Sequence, residues 1–117
     1  MMKTQPMTDI ARHALEDLKA IDLRVLDVRG ITTITDTMMI CTGTSSRHVA
    51  ALARNVVDKA REAGLKSMGI EGLEEGEWAL VDLGEVVVHV MQAQTRAFYQ
   101  LEKLWDMGPA LPRQANG

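Results

Sequence analysis

The sequence predicts an α/β (α+β) domain, a single five-stranded mixed sheet with three helices. Three observations carry that expectation. The stretch from Glu71 to Met91 reads as a β-hairpin with apolar side chains on both faces, so a second layer must cover the sheet. Two segments, Asp9 to Ala20 and Ser46 to Gly64, repeat their apolar residues at helical spacing, and a third stripe runs from Thr95 to Trp105. Short β-rich segments lie between them, giving the order helix, strand, strand, helix, strand, strand, strand, helix, which packs most simply as helices on one sheet.

The first helix rests on Ile10, Ala14, Leu15 and Leu18, with Thr8 or Asp9 as its cap. Leu23 to Val28 is apolar at nearly every position and reads as a buried strand. Thr35 to Thr42 reads as the second. Gly43-Thr44-Ser45-Ser46 then opens the clearest helix, with Val49, Leu52, Ala53, Val56, Val57 and Ala60 on one stripe and Gly64 at its end. Ser67 to Glu71 is a short strand. In the hairpin, strand alternation places Ala79 and Val81 with Val86, Val88 and Val90, and Trp78 and Leu80 with Val87, His89 and Met91. The last helix is expected to bury Phe98, Leu101 and Trp105. Residues 9–106 are thus expected to form one domain between a flexible tail, 1–8, and a disordered tail, 107–117.

Hydrophobic content of 46% and charged content of 25% are those of a soluble globular domain. No apolar run approaches membrane-spanning length, no secretory signal is visible, and the single Cys41 excludes an internal disulfide; the expected compartment is the cytoplasm. A net charge of −3 and 3% aromatic residues argue against a general or sequence-specific nucleic-acid binder.

Catalytic chemistry is thinly represented. His13, His48 and His89 are far apart with no paired ligand, so neither a metal nor another cofactor is expected. Cys41 lies near His48 in sequence but reads as a small buried hydrophobe. The turn from Gly43 to Ser46 is the best enzymatic lead, because a helix N-terminus binds anions and nucleotidyltransferases use a Gly-Ser turn of this kind. The paired carboxylates that would hold two magnesium ions are missing; Asp27, Asp36 and Asp82 stand singly on separate strands. The simpler role for Ser45 or Ser46 is a helix cap, and for Asp36 and Asp82 a strand end and a turn. A magnesium-dependent nucleotidyl- or phosphoryl-transfer enzyme built on Gly43–Ser46 is the alternative reading. A third is a homodimer joined through the apolar hairpin face.

The other lead is a docking surface. Trp78 starts its strand next to an acidic turn (Glu71, Glu74, Glu75, Glu77), and a Trp beside an acidic rim is ordinary interface anatomy. The candidate partner-binding residues are Trp78, Leu80, Glu71, Glu77, His89 and Met91.

Several blocks in combination resemble one family. Ala14-Leu15-Glu16-Asp17-Leu18-Lys19-Ala20, Leu26-Asp27-Val28, Thr35-Asp36, Thr42 to Val49, Glu71-Gly72, Gly76-Glu77-Trp78, Val81 to Gly84, Val87 to Val90, Arg96, Phe98-Tyr99 and Leu101 to Trp105 look like the Iojap family, whose bacterial members are ribosomal silencing factors. The resemblance spans about Asp9 to Trp105. It implies a fold related to nucleotidyltransferases without their catalytic carboxylates, and a role that is not enzymatic. It also implies a partner, ribosomal protein number fourteen of the large subunit, bound where the small subunit docks, so that subunit joining is blocked and translation damped when nutrients are scarce.

Overall fold

The structure is a computed structural model that describes residues 4–30, 35–65 and 69–100. Its elements are α1 (Thr4–Asp17), β1 (Ile21–Asp27), β2 (Thr37–Gly43), α2 (Ser46–Glu62), β3 (Gly69–Glu71), β4 (Trp78–Asp82), β5 (Val86–Gln92) and α3 (Ala93–Tyr99). The five strands form one sheet in the order β1-β2-β5-β4-β3. β2 and β5 run parallel at its centre, and the other pairs are antiparallel. The expected mixed five-stranded sheet and three helices are therefore present.

The hairpin register follows the alternation read from the sequence. Trp78 pairs with Met91, Ala79 with Val90, Leu80 with His89 and Val81 with Val88. Directly opposed residues share a face. Ala79, Val81, Val86, Val88 and Val90 thus join Met39 and Cys41 beneath α1 and α2, where Ala11, Ala14, Leu15, Val49, Leu52, Ala53, Val56 and Ala60 close the main core. Asn55 ties the two helices together, its Nδ2 donating to the Ala14 carbonyl at 2.8 Å. The second face carries a smaller cluster of Leu26, Val28, Met38 and Ile40. β5 is buried on both faces from Val86 to Met91, and on the second face of the hairpin Trp78 and Leu80 of β4 are half-buried.

Three boundaries differ from expectation. α1 begins at Thr4, with Asp9 inside it and paired to Arg12 at 2.6 Å, so neither Thr8 nor Asp9 is the cap. Pro6 falls in the first turn, where a missing N–H breaks no helical bond. Leu18 lies past the helix end and is partly exposed, not part of the stripe. α3 stops at Tyr99 because Gln100 takes a left-handed conformation, φ 47° and ψ 46°. That turn interrupts the stripe from Phe98 to Leu101, and Phe98 is 78% exposed instead of buried. Leu101 and Trp105 lie outside the described residues.

Candidate partner-binding site

The sheet has two chemically different ends, and β2 spans the distance between them. At one end, Asp27 faces Thr37, which faces Val86, and Asp82 faces Val87. Asp36, Asp82 and Glu85 therefore gather here. Asp82 accepts from the Gly84 N–H at 2.8 Å, an ordinary turn role. Asp27 is held by Arg29 through contacts of 2.8 and 3.0 Å, and those hydrogen bonds keep its carboxyl below the usual range. Gly43 and the start of α2 lie at the opposite end, about 20 Å away along seven strand residues. Any metal held by Asp36 or Asp82 is thus a full strand length from the turn proposed to cradle a phosphate.

That turn is also committed to the fold. Ser45 is the α2 cap, its Oγ accepting from the His48 N–H at 3.0 Å. The Ser46 hydroxyl donates to the Glu75 carbonyl at 3.2 Å. Gly76 packs so closely on Ser46 that an added Cβ would lie 2.6–2.7 Å from its atoms. His48 is engaged at both nitrogens: Nδ1 accepts from the Thr44 N–H at 2.8 Å, and Nε2, which therefore carries the proton, donates to the Leu18 carbonyl at 2.7 Å. Burial pushes the Cys41 thiol up to about 12, so it stays protonated and unreactive. Among the described residues, no group of three or more His, Cys, Asp or Glu side chains is placed to hold a metal ion.

The same end of the sheet builds a different kind of site. Trp78 opens β4, and its ring lies 4.9 Å from that of Tyr99, which meets Phe98 edge-on at 4.9 Å. Tyr99 is 54% exposed, so two aromatic rings stand largely in solvent beside the half-buried indole. α3 is locked in place beneath them by Arg96, which is buried and donates to the Asp22 carbonyl and the Thr42 hydroxyl, both at 2.9 Å. The acidic loop borders the patch. Its backbone is fixed by Gln92, whose Nε2 donates to the Gly76 carbonyl at 2.8 Å and whose N–H donates to that of Glu77 at 3.0 Å, while Glu74, Glu75 and Glu77 remain exposed.

The expected contact residues divide accordingly. Trp78, Leu80, Glu71 and Glu77 reach the surface wholly or in part. His89 and Met91, at 7% and 0% exposure, do not; both lie in β5, which runs between β2 and β4 in the sheet. Periodicity in the sequence points to no surface role for Phe98 and Tyr99. The signal available was that adjacent helix residues point about 100° apart, so a stripe through Phe98, Leu101 and Trp105 leaves Tyr99 well off its centre.

His89 has a second property. Burial depresses it from 6.5 to about 4, so it is neutral at ordinary pH. The unfolded chain binds this proton more readily than the native one between those values. Stability contributed by the neutral ring is therefore full above pH 6.5 and is lost as pH falls toward 4, by about 3 kcal/mol. Urea denaturation at pH 7 and pH 4.5 is expected to show a steeper acid loss for the native protein than for His89→Leu; equal losses contradict the assignment.

No described helix is long and apolar enough to cross a membrane. The family model described as Ribosomal silencing factor during starvation matches residues 2–116. The chain is 46% identical over 99 residues to Ribosomal silencing factor RsfS of Haemophilus influenzae, covering 85% of this chain and 97% of that protein. It is 43% identical over 108 residues to the factor of the same name from Bacillus subtilis, covering 92% of each. A crystal structure of a Chromobacterium violaceum protein, 46% identical, superposes with a TM-score of 0.88 over 90% of this chain and 88% of that one. The chain belongs to the family of ribosomal silencing factors.

Proposed function

We propose that this protein silences translation by binding the large ribosomal subunit, through its ribosomal protein number fourteen, and sterically blocking the joining of the small subunit when nutrients are scarce. The observation that carries this reading is the aromatic patch of Trp78, Tyr99 and Phe98, two of its rings largely exposed, on a member of this family. Aromatic side chains supply large contact area at low entropic cost. Trp78, Tyr99 and Phe98 bury against the target protein, with Leu80 beside them, and the acidic loop with Glu71 and Glu77 meets the basic surface around it. The role is occlusion and requires no catalysis. It places the protein in the cytoplasm with the ribosome.

Co-sedimentation with isolated large subunits, followed by addition of small subunits, tests the proposal. The expected result is a protein that pellets with large subunits and suppresses joined ribosomes. A protein left in the supernatant at moderate salt defeats it. Reversing charge on the loop, Glu77→Lys, is expected to slow association several-fold at low salt with little change in dissociation, because rim charges act on encounter. An unchanged association rate at low salt removes the loop from the docking surface.

A further inference from the structure

Among the residues of β5, His89 is the anomaly. It interrupts a run of aliphatic side chains and faces Ile40 on one neighbouring strand and Leu80 on the other. A valine or leucine would fill that place without the cost of taking a polar ring out of water. What the imidazole adds is one acceptor: Trp78 Nε1–H donates to His89 Nδ1 at 2.9 Å, and the proton of the neutral ring is therefore on Nε2. The imidazole also lies against the indole, with ring centroids 5.8 Å apart at a 50° tilt. On its other side the indole meets Tyr99. The ring that opens the aromatic patch is thus held from beneath by a part-buried hydrogen bond and flanked by a second ring.

We infer that His89 is a positioning residue for recognition: its Nδ1 fixes the orientation of the Trp78 indole in the free protein, so that the partner meets a preorganised ring. This inference rests on the reading of Trp78 as partner-facing. A Trp side chain tethered only at its Cβ would lose rotamer freedom on binding, at roughly 0.5–1.5 kcal/mol for an immobilised side chain, or about two- to tenfold in affinity. His89 pre-empts that loss without touching the partner. The bond also explains why a polar residue persists under the sheet face: a buried polar pair specifies one geometry where aliphatic packing tolerates several.

The test uses the full chain with 15N-labelled indoles, the Trp78 resonance being identified by its absence in Trp78→Phe. His89→Leu keeps the bulk and removes the acceptor. His89→Asn keeps an acceptor near the position of Nδ1. In His89→Leu the Trp78 indole N–H is expected to move upfield and exchange faster, and affinity for large subunits to fall two- to tenfold. His89→Asn is expected to recover much of both. Trp78→Phe, which retains His89 but removes the donor, is expected to weaken binding at least as much, and adding His89→Leu to it to change nothing further. An indole resonance unaltered in His89→Leu overturns the inference. So does equal weakening by Leu and Asn, which would mean that the side chain acts through packing alone. If Trp78→Ala binds like the native protein, the reading of the site fails instead, and the indole resonance still decides whether His89 orients the ring.

Discussion

Trp78→Ala lowers the affinity of the protein for large ribosomal subunits thirtyfold or more and leaves the fold intact. The size follows from what the side chain does. A Trp buries roughly 150–250 Å² when fully covered, and Trp residues at interface centres cost about 2 kcal/mol or more on truncation, which is about thirtyfold. The fold survives because the indole takes no part in the main core. That core is on the other face of the sheet, where Ala79 and Val81 face α2. The ring contacts His89 and Tyr99, and Tyr99 is itself largely exposed. Truncation therefore opens a surface depression and no internal cavity. Equilibrium binding to large subunits, with the urea midpoint as a fold control, decides the matter. A folded variant with native affinity excludes Trp78 from the interface.

The sequence made the hairpin legible because strand alternation on either side of a tight turn puts all five small apolar residues on one face, and only a one-residue slip would undo that. The α2 helix was equally readable, since its stripe and its Ser45 cap agree. α3 was not. Periodicity carried the stripe from Phe98 through Leu101 to Trp105, but a left-handed Gln100 has no signature when the residue is neither Gly nor Asn. Periodicity therefore puts Phe98 in the core, whereas the ring stands in solvent. Arg96 shows the same limit. Its family match was visible, but that it reaches a kinked Asp22 (φ 52°) seventy-four positions earlier is a tertiary fact with no local trace. Asp36 is parted from Gly43–Ser46 by the length of β2 itself, but the separation of Asp82 from that turn was hidden, because it depends on which way β2 runs beside β5. Of the site, the sequence showed Trp78 and its acidic border; the rings that complete the patch and the imidazole beneath it needed the fold.

Gly72→Ala is expected to cost about 3 kcal/mol of stability and to weaken ribosome binding as well. Gly72 holds φ +84°, a conformation that costs an L-residue about 1–2 kcal/mol. Space is the greater problem. A Cβ there would collide with the carbonyl oxygen of Trp78 and stand 3.1 Å from the Ala79 Cα. Both are backbone atoms of a paired strand, so neither can swing aside as a side-chain tip would. The loop must lift off β4, and it is fixed at its other end, where Gly76 lies against Ser46 and Gln92 holds the Gly76 carbonyl. Lifting one end therefore strains the Ser46 and Gln92 bonds or the start of β4, and each of these moves the acidic loop relative to the indole. The two effects are separable. Urea denaturation reads the stability loss, and association rates measured well below the denaturation midpoint read the displaced loop. Gly69→Ala is the control, since a Cβ at that position meets nothing within 4 Å; it is expected to change stability by less than about 1 kcal/mol. A Gly72→Ala variant as stable as Gly69→Ala would mean that the loop is not clamped against β4, and the acidic border would then be free to move independently of Trp78.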